Sequence, residues 1–201
     1  VYGSIDTYWR MTDEVFPLAG AKLLAPCVPK QIICVGFNYR DHAREFHVDV
    51  PKEPALFTKA AHTVIGNDGK IIYPRQSHEV VYEAELGVVI KKRMKDVAPE
   101  DVPDYILGYT CANDVTARDL QLSDVQGLRS KSFDTFCPLG PWLETDLDPT
   151  DLSIKLYLNG QLKQNGRTSD MVYNPYEILS YISQSMTLDA GDLILTGTPM
   201  G

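Results

Sequence analysis

The chain has 201 residues and a formal net charge of −8 at pH 7, with 44% hydrophobic and 23% charged residues. That length gives room for one core of ordinary size, and the negative field works against binding the phosphate backbone of nucleic acid. No apolar run reaches the roughly 18 residues of a membrane span. No stretch reads as a signal peptide; because the sequence starts at Val1, an upstream segment is expected. The four cysteines, Cys27, Cys34, Cys111 and Cys137, are far apart and form no CxxC pair, which argues against a zinc site or a disulfide framework. Buried, reduced thiols suit a cytoplasmic protein.

In chain order, β-like segments recur at "QIICVGFNY" (31–39), "PALFTKA" (54–60), "KIIYP" (70–74), "VVYEAELGVVIKK" (80–92), "YILGYTCANDV" (105–115), "LSIKLYLNG" (152–160) and "DLILTG" (192–197). Asn159-Gly160 is a strong signal for a tight hairpin turn. Helices look few. "NPYEILSYISQSM" (174–186) is the best, with Asn174 as cap, Pro175 in the first turn and Glu177 three residues after the cap. "YRDHAREF" (39–46) and "TARDLQLSDVQ" (116–126) predict shorter helices. The sum is a β-rich α+β chain with no visible linker.

The segment "VYEAELGVVI" raises the main functional question. Glu83 and Glu85 are two apart, so on a strand their carboxylates share a face, where they repel each other and resist desolvation. Alone, the pair reads more readily as the wet face of an edge strand than as a metal site. The next β-like run ends in Asp114, with Arg118 one helical turn further on. Three carboxylates from two strands suit a hard divalent ion such as Mg²⁺ or Mn²⁺ better than Zn²⁺, which favours His or Cys.

Two further features carry chemistry. His42 and Glu45 are three apart, so on a helix they meet, and a carboxylate fixes an imidazole's tautomer and strengthens it as a base. As an isolated pair they more often belong to a solvated helix face. Lys131 precedes an apolar, proline-rich run and could neutralise a substrate carboxylate or a developing oxyanion; a surface lysine is the commoner fate.

Six segments, "ICVGFNYRDHAREF", "YEAELGVVI", "GYTCANDVTARDLQ", "KSFDTFCPLGPWL", "NGRTSDMVYNPYEILSYIS" and "LDAGDLILTGTPMG", together resemble the successive motifs of the fumarylacetoacetate hydrolase family, in the family's order. More closely they resemble its small single-domain branch of acylpyruvases, oxaloacetate decarboxylases and 2-hydroxyhepta-2,4-diene-1,7-dioate isomerases. The resemblance covers residues 31–201, leaves residues 1–30 unassigned, and implies truncation at the C-terminus, because the family continues past "TGTP".

The resemblance implies a mixed β-sandwich roll with few short helices, a homodimer, and Mg²⁺ or Mn²⁺ held by Glu83, Glu85 and Asp114. It implies a catalytic dyad of His42 and Glu45 with Lys131, and substrate contacts from Gln121, Lys59 and Thr198. The expected activity is hydrolysis of a C–C bond in a 2,4-dioxo acid through a metal-bound enolate, with water activated by the dyad. The same intermediate serves the alternatives, an isomerase or decarboxylase of aromatic catabolism. A catalytically silent member is the remaining reading.

Overall fold

The computed structural model describes residues 2–4, 8–10 and 13–201. Short strands β1 (Tyr2–Ser4) and β2 (Tyr8–Arg10) pair with each other. The body of the fold starts at β3 (Ile32–Gly36), which leads through helix α1 (Arg40–Glu45) to β4 (Ala55–Lys59) and the short β5 (Val64–Ile65). Then come β6 (Val80–Val81), β7 (Ala84–Ile90), β8 (Ile106–Asn113) and β9 (Thr116–Ala117). Helices α2 (Arg118–Ser123) and α3 (Leu128–Lys131) precede β10 (Cys137–Glu144), and the hairpin β11 (Ser153–Leu158) and β12 (Gln161–Arg167) precedes α4 (Pro175–Ser185) and β13 (Leu193–Leu195).

Seven strands form one mixed sheet in the order β4-β3-β13-β7-β8-β10-β5. The pairs β13–β3 and β10–β5 are parallel and the others antiparallel. β7 therefore lies inside the sheet, between β13 and β8, and all seven of its residues are buried. The reading of Glu83 and Glu85 as the wet face of an edge strand is overturned. Leu86, Val88 and Ile90 project into one core with Ile33, Val35 and the α4 residues Ile178, Leu179 and Ile182. Val89 projects oppositely, with Ile32, Cys34, Leu139, Leu193 and Leu195. Burying each such side chain contributes about 1.5–3 kcal/mol, which is how a strand with polar ends is held in the middle of a sheet.

α4 forms where its cap signals place it. The Asn174 side chain accepts hydrogen bonds from the N–H groups of Tyr176 (2.9 Å) and Glu177 (3.1 Å), and Glu177 accepts from Asn174 N–H at 2.8 Å. The turn between β11 and β12 has Asn159 at φ +52° and Gly160 at φ +76°, as the Asn-Gly pair predicts.

Two expectations are corrected, and one strand is added. "KIIYP" forms no strand: Ile71, Ile72 and Tyr73 are exposed, and the Ile72 N–H is met by Thr135 Oγ1 (2.8 Å) rather than a ladder partner. "VVYEAELGVVIKK" is two strands, because β6 leaves to pair with β9 and the chain breaks at Tyr82 and Glu83. Conversely "CPLGPWLE" is a strand of eight residues, with its register shift between Gly140 and Glu144 accommodating prolines that a regular ladder excludes.

Candidate active site

The antiparallel pairing of β7 with β8 sets Ala84 opposite Asn113 and Glu85 opposite Ala112, so Asp114 emerges beside Glu83. Two hydrogen bonds lock this corner: Asp114 N–H donates to Glu83 O (2.8 Å), and Glu83 N–H donates to Asn113 Oδ1 (2.9 Å). One carboxylate oxygen from each of Glu83, Glu85 and Asp114 lies within 4.8 Å of the others, and all three residues are buried. The sheet register thus brings together the three carboxylates that the sequence singled out.

The protein supplies its own cations to this cluster. Lys131 Nζ donates to Glu83 Oε2 (2.7 Å) and Asp114 Oδ2 (2.6 Å), and its residue is 2% exposed. Arg118 donates to Glu83 Oε1 at 2.8 Å. Lys59 Nζ lies 2.6 Å from Asp114 Oδ1 and donates to Val115 O (3.1 Å). The Lys59–Asp114 contact is a close ion pair that is poorly aligned as a hydrogen bond. Glu85 has the poorest compensation: Gly197 N–H donates to its Oε2 at 2.6 Å, and no lysine or arginine pairs with it among the described residues. Gly197 sits at φ +98°, and a Cβ there would meet Asn38 Cβ at 2.8 Å, so this approach of backbone to carboxylate requires glycine.

These contacts divide the triad electrostatically. Burial, then the neighbouring Asp114 and Glu83, push the Glu85 carboxyl well above its ordinary value, against the pull of Lys131 and Gly197 N–H. Burial also raises Asp114, but Lys131 and Lys59 outweigh it and hold that carboxyl below its ordinary value. Burial disfavours the Lys131 ammonium, yet Asp114 and Glu83 keep it charged beyond its ordinary range. An incompletely satisfied, buried set of three carboxylate oxygens fits a hard divalent cation.

A cavity of about 350 Å³ opens onto two of the triad's carboxylates, Glu83 and Glu85, and is lined also by Arg118, Gln121, Lys131 and His42, with Phe37, Phe46 and Phe57 among its apolar walls; Asp114 lies behind them, outside the lining. α1 brings the dyad to its rim: His42 Nδ1 lies 3.0 Å from Glu45 Oε2. Because a carboxylate only accepts, Nδ1 carries the proton and Nε2 is the basic nitrogen. The His42 ring stacks on Phe37 (5.8 Å) and meets Phe46 edge-on (4.9 Å). Gln121 lines the cavity and accepts a hydrogen bond from Arg118. Thr198 lines it too, although its hydroxyl donates to Ala84 O at 2.9 Å. Lys59 stands behind Asp114, outside the cavity lining.

The site also contains residues outside the set predicted from sequence. Arg118 holds Glu83 and lies over the Phe46 ring at 4.8 Å, linking the triad to the α1 region. Its place four residues after Asp114, at the start of α2, was the available signal. Asn113, Gly197 and Gln164 carry no such mark.

Residues 31–201 match the family described as fumarylacetoacetate (FAA) hydrolase C-terminal. An uncharacterised protein of Archaeoglobus fulgidus is 51% identical over 92% of this chain and 74% of its own length. The chain belongs to the fumarylacetoacetate hydrolase family. It is 47% identical, over 94% of its length and 61% of the relative's, to a mitochondrial oxaloacetate tautomerase of Xenopus laevis. A crystal structure of 2-hydroxyhepta-2,4-diene-1,7-dioate isomerase from Mycobacterium marinum superposes with TM-score 0.88 at 44% identity, covering 96% of this chain and 72% of that one. The family's β-rich fold and its enzyme character are thus those of this chain. Among the described residues no helix is long and apolar enough to cross a membrane.

Proposed function

We propose that this enzyme moves a proton at the carbon next to the keto group of a small 2-oxo acid, as a tautomerase or isomerase, with a divalent cation held by Glu83, Glu85 and Asp114. The observation that carries this reading is the placement of His42, oriented by Glu45, in the wall of a cavity that Glu83 and Glu85 of the buried carboxylate triad also line. When bound, the cation supplies Lewis acidity that stabilises negative charge on the keto oxygen.

The rest falls to the chain's own groups. Nε2 of His42 takes and returns the proton, with Nδ1–H held on Glu45. Phe37 and Phe46 pack against the ring and hold its orientation. Lys131 and Arg118 hold Glu83 in place and offer positive charge to an anionic substrate. Gln121 offers a polar contact from the cavity wall. The relatives named oxaloacetate tautomerase and 2-hydroxyhepta-2,4-diene-1,7-dioate isomerase support this order of preference.

Hydrolysis of an acylpyruvate, which the sequence put first, becomes the second reading. It is favoured by the same dyad, which can activate water, and by the structural likeness to a fumarylacetoacetate hydrolase from Exiguobacterium antarcticum (TM-score 0.83, 40% identity). Decarboxylation of oxaloacetate shares every group except the water. A homodimer and a cytoplasmic setting belong to the same proposal, resting on the family resemblance and on the four unpaired thiols.

The deciding experiment follows enol decay of oxaloacetate, and enol loss of an acylpyruvate, with Mn²⁺ and then with EDTA. Glu83→Gln protein serves as the control for catalysis by free metal. Metal-dependent acceleration of oxaloacetate tautomerisation, lost in Glu83→Gln and reduced about 10²–10⁴-fold in His42→Ala, is expected. Turnover of the acylpyruvate alone would replace this reading with the hydrolase, and equal rates in EDTA would refute the metal's role.

A further inference from the structure

All residues of β12 are exposed or half-exposed except Gln164, which is 1% exposed. A lone buried amide in a solvated strand is costly unless its donors and acceptor are met. Gln164 meets them in one place. Its Oε1 accepts from Ala84 N–H (2.8 Å), and its Nε2 donates to Thr198 Oγ1 (2.8 Å) and Pro199 O (2.7 Å). Thr198 Oγ1 in turn donates to Ala84 O at 2.9 Å.

Ala84 lies between Glu83 and Glu85. Its N–H belongs to the peptide unit shared with Glu83, and its C=O to the unit shared with Glu85. The ladder between β7 and β13 stops short of it: the last strand pair is Leu195 with Gly87, followed by the Thr196 N–H bond to Leu86 O (3.2 Å). Two residues further along β7, the N–H and C=O of Ala84 point to the same side, where no strand remains to receive them. Gln164 and Thr198 take the place of that strand. The direction in which each glutamate leaves the backbone depends on those two peptide planes.

We propose that Gln164, acting with Thr198, is a positioning residue for the metal site: it clamps both peptide units of Ala84 and so sets the separation of the Glu83 and Glu85 carboxylates. The inference rests on the proposed metal reading. It gives the β11–β12 hairpin, otherwise a solvated two-stranded appendage, a function in the site.

The test is calorimetric titration of Mn²⁺ into metal-free wild type, Gln164→Leu, Thr198→Val and Thr198→Ser, with the melting temperature of each. Leu keeps the bulk of Gln and removes the clamp. Val removes only the hydroxyl, so it carries the test if Gln164→Leu does not fold. Affinity is expected to weaken about 10- to 100-fold in Gln164→Leu and Thr198→Val, as for other residues that orient metal ligands, and to stay within about twofold in Thr198→Ser. A hairpin tether with no part in the metal site would lower the melting temperature and leave affinity unchanged; unchanged affinity in folded Thr198→Val or Gln164→Leu overturns the clamp. Equal loss in Thr198→Ser also overturns it, because the hydroxyl would then not be the cause. Absence of Mn²⁺ binding in the wild type overturns the metal reading itself, and is seen before any variant is measured.

Discussion

Replacing Lys131 with Met tests whether the buried cluster is balanced by the protein's own cations. The ammonium hydrogen-bonds Glu83 and Asp114 at 2.7 and 2.6 Å and is almost wholly buried. Met preserves most of the packing volume and removes the charge. Glu83 keeps Arg118 and Asp114 keeps Lys59, but each loses its shortest or best-aligned partner. Removing one member of a buried ion pair costs about 3–5 kcal/mol. For a chain of this size each kcal/mol lowers the melting temperature by about 2–4 °C, so a fall of roughly 6–20 °C is expected in EDTA. Mn²⁺ should then stabilise the variant more than the wild type, since it meets two less-compensated carboxylates; at 100 times its Kd a ligand contributes about 2.7 kcal/mol. Asp114 is held below its ordinary 3.8 by Lys131, so its contribution is present above 3.8 and is lost as pH falls through the lower folded value. The gap between wild type and variant should therefore narrow on acidification. Scanning calorimetry in EDTA and in Mn²⁺ measures all of this. A melting temperature within 2 °C of wild type in EDTA would refute the account, since 2 °C corresponds to about 1 kcal/mol or less.

Two further outcomes follow from the same contacts. Glu85 is raised above its ordinary 4.5, so in EDTA its protonated form contributes stability below 4.5 that is lost as pH rises through the folded value; Glu85→Gln should gain stability over wild type across that window, and a pH-independent difference would contradict it. Burial pushes the thiols of Cys27 up to about 11 and Cys137 up to about 12 and raises Cys34 well above its ordinary value, whereas Cys111 is exposed. Iodoacetamide on the native protein should modify Cys111 alone, read by mass spectrometry, and rapid labelling of Cys34 or Cys137 would show that this core opens readily.

Much of the fold was legible in local pattern. α4 announced itself through Asn174, Pro175 and Glu177, and the β11–β12 turn through Asn159-Gly160, because caps and tight turns are made by residues adjacent in sequence. For the triad the local signal was weaker: carboxylates at Glu83, Glu85 and Asp114 are costly in apolar strands, yet the glutamate pair alone read more readily as a wet face, and only the resemblance to the family assigned the three as metal ligands.

Other features depend on partners that sequence does not reveal. "KIIYP" has strand composition but pairs with no strand, while "CPLGPWLE", which no local signal marked, is a strand because β8 and β5 flank it. Whether Glu83 and Glu85 faced water or the core turned on the position of β7 in the sheet, which long-range pairing sets. The same holds for what balances them. Lys59, Arg118 and Lys131 come from three different elements, and Gln164 reaches Ala84 across 80 positions of sequence. The sequence by itself determined the caps, the tight turn and which costly side chains needed an explanation, because cost and propensity are local. The tertiary structure alone decided which charges meet and which side chain stands in for a missing strand, because those depend on distances in space.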